Sequence, residues 1–189
     1  MNKIIFIAII LLQACSQAPS QEETNLVDQF VVEYNEPCIN LSQTENRDGL
    51  LIYNEEPFTG KVCSYFPGGG KHTETSFLNG LKEGEWKVYY ANGNLEKKGI
   101  LSDGKDNGEY LEYYENGELK YEYHYDSGQK IGVWKSWYED GGKYTERNFS
   151  RGMLHGKVLV WDEQGRLAKE YDYLHGKLVN KQMHFKDWE

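Results

Sequence analysis

From Gly60 onward apolar and polar residues alternate with a period of two, and the alternation breaks at regular places. In residues 84–95, Trp86, Val88 and Tyr90 fall on one face, with Glu85 and Lys87 opposite. In the next unit Leu119, Tyr121, Tyr123 and Tyr125 share a face, and Lys120, Glu122 and His124 oppose them. A period of two is the mark of a half-buried β-strand. The breaks fall at Asn92-Gly93, Asn116-Gly117 and Gln164-Gly165, pairs that supply the positive φ a tight hairpin turn needs. A second set of breaks falls at Asn79-Gly80, Asp103-Gly104, Ser127-Gly128, Arg151-Gly152 and His175-Gly176. The pattern predicts hairpins joined by short connectors. One stretch departs from it: between Glu22 and Tyr34, Leu26, Val27, Phe30, Val31 and Tyr34 share a helical face. It reads as a short helix, with a capping strand as the alternative.

The breaks keep one period. Gly60, Gly84, Gly108, Gly132 and Gly156 are 24 residues apart, and so are the series beginning at Gly69 and Gly80. Large apolar residues obey the same spacing. One column is Val62, Trp86, Tyr110, Trp134 and Val158; another is Tyr53, Phe77, Leu101, Tyr125, Phe149 and Tyr173. A fixed period of this length marks a repeat architecture, in which each unit buries its apolar face against its neighbours. The fold class expected is all-β, an elongated antiparallel sheet of stacked 24-residue β-hairpin repeats. Five full repeats span 60–179, preceded by an N-terminal cap and partial repeat at 26–59 and followed by a terminal half-repeat at 180–189. Gly60 and its equivalents are expected to open each strand and leave room for a neighbouring ring. Trp86, Trp134 and Tyr113 are the expected core.

Gly84-Glu-Trp-Lys-Val-Tyr-Tyr-Ala-Asn-Gly-Asn-Leu95 and Gly108-Glu-Tyr-Leu-Glu-Tyr-Tyr-Glu-Asn-Gly-Glu-Leu119 resemble units of the MORN-repeat variant family. Residues 132–141 and the opening Pro57-Phe58-Thr59-Gly60-Lys61-Val62 are similar to it as well. The resemblance covers about residues 48–189. It implies an elongated antiparallel sheet acting as a scaffold or binding surface, and the bacterial relatives are often filed as antitoxins. Three departures stand out: Gly68-Gly69-Gly70 in the first hairpin, Asp162 in a column otherwise holding Tyr90, Tyr114 and Tyr138, and Lys71 and Lys143 in a leucine column. Looser packing is expected in those units.

The N-terminus changes the picture. Lys3 precedes the nine apolar residues Ile4–Leu12, and Leu12-Gln13-Ala14-Cys15 follows. This reads as a lipoprotein signal peptide over 1–14, with Cys15 lipidated as the first mature residue. The run is too short for a lasting membrane span. Several acyl chains on Cys15 anchor a protein stably where one does not. Ser16 differs from the Asp of an inner-membrane retention signal, which leaves the outer membrane of a bacterial cell envelope, with the leaflet face open. Residues 15–25 read as a flexible tether. Export permits a disulfide, so Cys38 and Cys63 are either bonded or two buried thiols.

The chain has 189 residues, 30 acidic against 21 basic side chains and a formal charge of −9. That length is one domain, and that charge argues against nucleic acid as a partner. Mean hydropathy is −0.76. His72, His124, His155, His175 and His184 fall in no metal-binding spacing. No cofactor or metal is expected, and a small-molecule substrate is not. Paired acids such as Asp103 and Asp106 read as solvated surface rather than a glycosidase pair. A non-enzymatic, lipid-anchored envelope protein follows, using its repeat surface to bind or scaffold an envelope protein; the alternative is an antitoxin-like binder of a partner toxin. Tyr121, Tyr144 and Trp188 are the candidate binding residues.

Overall fold

The computed structural model describes residues 38–184. The signal, Cys15, the tether, the helix expected over 22–34, Phe185 and Trp188 lie outside the described residues. Four short strands come first: β1 Ile39–Asn40, β2 Glu45–Arg47, β3 Leu50–Tyr53 and β4 Glu56–Pro57. Then follow β5 Gly60–Tyr65, β6 Lys71–Leu78, β7 Leu81–Tyr89, β8 Leu95–Ser102, β9 Lys105–Tyr113 and β10 Leu119–Asp126. The series ends with β11 Gln129–Trp137, β12 Lys143–Ser150, β13 Met153–Trp161, β14 Leu167–Leu174 and β15 Lys177–Met183. From β5 to β15 each strand pairs antiparallel with the next, in an open sheet of 12 strands completed by β1. The period-two pattern and the paired breaks therefore gave the fold class.

The two kinds of turn differ. Asn79 and Gly80 have φ of 50° and 81°, and the four equivalent pairs match them. Positive φ at both central residues is the type I′ requirement, whose twist suits a two-residue hairpin. The other turn is longer: Tyr90 donates its N–H to the carbonyl of Asn94, and Gly93 donates to that of Tyr90.

Gly60 opens β5 as expected, but Gly84, Gly108, Gly132 and Gly156 do not open their strands. β7, β9, β11 and β13 begin three residues earlier, and the glycine lies inside the strand. Register explains this. Thr75 faces Trp86 and Phe77 faces Lys82, so two steps on β6 oppose four on β7. Gly84, at φ 87°, sits in that bulge, a conformation a Cβ resists. On its other side Gly84 stands opposite Leu101, as Gly108 stands opposite Tyr125 and Gly132 opposite Phe149. The glycine column and the ring column are two sides of one ladder position.

The partial repeat departs from expectation. Tyr53 keeps the period, but β3 pairs with β2 and β4 in a separate sheet of three strands. The edge of β5 is taken instead by β1, which runs parallel to it, with Ile39 opposite Val62 and Asn40 opposite Cys63. A disulfide joins Cys38 to Cys63 across 5.7 Å between Cα atoms and holds that edge. The small sheet is bound through its backbone: Leu51 donates to the Gly80 carbonyl at 2.8 Å, and Gly80 donates to that of Phe58 at 2.8 Å. Leu51, Val62 and Phe77 are buried there, with Ile39 and Phe58 against them.

Bonds also pass between repeats. Tyr90 donates its hydroxyl to the Tyr113 carbonyl, Tyr114 to that of Trp137, and Tyr138 to that of Trp161, at 2.8–2.9 Å. Each tyrosine thus reaches the matching strand end one repeat on. Asp162 keeps to its own turn, accepting from the backbone of Gln164 and Arg166 and pairing with the Arg166 guanidinium. Lys71 and Lys143 are not loose points. Each pairs with a glutamate three residues on, Glu74 or Glu146, and Lys143 lies over the Trp161 ring.

Candidate interaction face

The alternation of the strands puts rings on one side of the sheet. Trp86 packs on Tyr110 at 5.5 Å between centroids, and Tyr110 on Tyr123 at 5.5 Å. Tyr123 lies 4.2 Å from Trp134, and Trp134 lies 4.7 Å from Phe149. Trp134 is buried, 7% exposed, and its indole N–H donates to the His124 carbonyl at 3.1 Å. Trp86 and Tyr113, expected in the core, are half-buried. Trp86 lies flat over Gly99, where a Cβ would stand 2.9 Å from Nε1. Burial pushes the phenols of Tyr110 and Tyr123 well above the usual tyrosine range, Glu112 adding to it for Tyr110 and Tyr121 for Tyr123.

The same face opens at its N-terminal end into a cleft of about 450 Å³, lined among others by Val62, Thr75, Phe77, Trp86 and Leu101, with Leu41 across from them. The other face is charged and carries a series of ion pairs. Lys135 meets Glu122 at 2.8 Å, Lys61 meets Glu74 at 3.4 Å, and Lys157 is ion-paired with Glu170. Lys71 and Lys61 overcome the effect of burial on Glu74 and hold its carboxyl below the usual range.

The candidate binding residues do not form one patch. Tyr121 is half-buried and stacked on Tyr123 at 5.2 Å. Tyr144 is exposed and leans on Tyr138 at 4.8 Å. They belong to different ring pairs, and Trp188 lies outside the described residues.

The MORN repeat variant family model matches residues 82–101 and 106–127. These two stretches are similar to MORN repeats. They coincide with hairpins β7–β8 and β9–β10, and each begins two residues before the column glycine, inside the strand that the bulge interrupts. The β11–β12 and β13–β14 hairpins repeat the geometry of these two, with the same positive-φ glycine facing a large apolar residue across the strand pair, Phe149 or Tyr173. No curated protein matches the chain.

Sequence reasoning missed two sets of residues. The Tyr90, Tyr114 and Tyr138 column was visible, but its acceptor is a backbone carbonyl 23 residues away, which no side-chain pattern announces. The cations among the rings were also missed. Their signal was present in β12 and β14: Arg147 is two residues from Phe149, and Lys169 two from Tyr171, in phase with the apolar face.

Proposed function

We propose that this protein is a non-enzymatic, lipid-anchored envelope protein that uses its MORN-repeat sheet to bind or scaffold another protein. The observation that carries the reading is the two-sided character of the sheet. One face holds ion pairs such as Lys61–Glu74, Lys135–Glu122 and Lys157–Glu170, while the other presents half-buried rings and apolar side chains in a continuous ladder. Aromatic residues of this kind concentrate where proteins meet. The apolar run before Cys15 and the absence of Asp at position 16 support attachment at an outer membrane.

The test is capture of the tagged protein from gently cross-linked, detergent-solubilised membranes, with Cys15→Ala as the comparison. A stoichiometric envelope protein recovered only with the anchored form supports the reading, together with palmitate labelling that Cys15→Ala abolishes. A soluble pool holding a small toxic protein overturns it in favour of the antitoxin-like reading. An anchored protein that captures nothing reduces it to a structural role.

A further inference from the structure

The chain carries a formal charge of −9, yet its ring-bearing face is basic. Residues directly opposite one another in an antiparallel pair share a face. By that rule Lys82 joins Phe77, Lys97 joins Val88 and Lys130 joins Tyr125. Arg147 joins Trp134, Lys169 joins Val160 and Lys181 joins Tyr171. The acids brought to the face in the same way are Asp106 and Glu112. The two faces also differ in how charge is satisfied. Lys61, Lys135 and Lys157 on the other side each have a carboxylate. Among the described residues Lys82, Lys130, Arg147 and Lys169 have none within 4.0 Å. Lys130 lies instead over the Trp134 and Phe149 rings, at 4.4 and 5.4 Å.

We propose that this face docks an acidic, extended protein segment, with carboxylates on Lys130, Arg147 and Lys169 and apolar side chains on the rings and valines between them. This rests on the protein-binding reading and gives it a surface and a partner chemistry. Charge complementarity is the argument. An acidic protein that gathers unpaired cations on its one apolar face has a surface of opposite sign to the rest of itself, which selects partners and steers their approach. The three cations stand on β11, β12 and β14, so the outer two are three strand spacings, about 14 Å, apart across the sheet and further apart along it, and a segment of more than about four or five extended residues is needed to reach all three. Between them lie Trp134, Phe149, Val158 and Val160. A sulfated glycan or nucleic acid brings no apolar side chains to cover these, and the chain's net charge repels a long polyanion. A carboxylate that meets Arg147 beside Trp134 makes a charge-assisted hydrogen bond on a half-dry surface.

The experiment titrates the protein, without its signal region, into a fluorescein-labelled peptide alternating Glu and Val, about twelve residues long so as to span several strands. The comparison probes are the Lys–Val counterpart and heparin. The face variant is Lys130→Glu/Arg147→Glu/Lys169→Glu. The control, Lys98→Glu/Lys105→Glu/Lys177→Glu, changes net charge equally away from this face. Circular dichroism checks both, and Lys130→Gln/Arg147→Gln/Lys169→Gln replaces the face variant if it misfolds. The expected result is binding of the acidic peptide alone, weakened about tenfold or more by the face variant and within about twofold by the control. Equal loss in both variants overturns the proposal, as does no binding of the acidic peptide. Heparin binding that the face variant abolishes overturns it in favour of an anionic polymer. A cellular partner whose capture survives the face variant removes this face while leaving the protein-binding reading standing.

Discussion

At the scale of single residues the repeats are unequal at their I′ turns. The first central position holds Asn79, Asp103, Ser127, Arg151 and His175, all with φ near 50°. Asn and Asp visit that left-handed region readily, whereas other side chains pay about 1–2 kcal/mol there. Arg151→Asn is therefore expected to stabilise the protein by up to about 1 kcal/mol, read as a higher urea midpoint. Gly99 is the opposite case, since sterics rather than φ hold it. A Cβ at 2.9 Å from the Trp86 indole forces the ring to shift, so Gly99→Ala should destabilise by about 1–3 kcal/mol. Retention of the full midpoint would show that Trp86 repacks without loss. The turn pairs were legible in the sequence because Asn-Gly and Asp-Gly declare their conformation. The mid-strand bulge glycines were read as strand openers, because a glycine column alone does not say whether it starts a strand, as Gly60 does, or bends it.

At the scale of elements, hairpins are joined by more than their ladders. Tyr114→Phe removes the bond to the Trp137 carbonyl, with an expected loss of about 1 kcal/mol in denaturant unfolding. The stacked phenols add a pH dependence. Tyr110 and Tyr123 are held neutral in the fold above the usual tyrosine range. The unfolded chain ionises them first, near pH 10. Their contribution is thus fully present below about pH 10 and is lost as pH rises beyond it. The urea midpoint should start to fall as pH rises past about 10 and keep falling until the folded-state phenols ionise as well, and Tyr110→Phe/Tyr123→Phe should flatten the fall. Order and pairing of the eleven strands from β5 on were legible because period-two faces and turns recur in every unit. The parallel pairing of β1 was not. Two residues, Ile39 and Asn40, carry no strand pattern, and their place comes from the covalent link of Cys38 to Cys63.

At the scale of the whole sheet, the two edges differ. The β5 edge is closed by β1 and the disulfide, with Cys63 wholly buried. β15 is exposed along its length, with Val179 61% exposed. Reduction of the disulfide, or Cys38→Ala/Cys63→Ala, should cost about 3–4 kcal/mol from the entropy of a loop of this length. Hydrogen exchange should show β5 and β6 losing most of their protection while β13 to β15 change little, because contacts in a repeat sheet reach only to neighbours. The ring-bearing face was only half legible. Its rings were found as a column, but the charge upon it belongs to no column and emerges once register says which residues stand opposite which.

Asp162 bears on how long such a sheet becomes. Where Tyr90, Tyr114 and Tyr138 each reach forward for a carbonyl one repeat ahead, Asp162 turns back on its own turn. The series of forward bonds therefore carries its own stop signal, a single side chain that asks nothing of a successor. At this column a side chain thus either ties its hairpin to the next one or closes upon its own turn, and the exchange of a phenol for a carboxylate decides which.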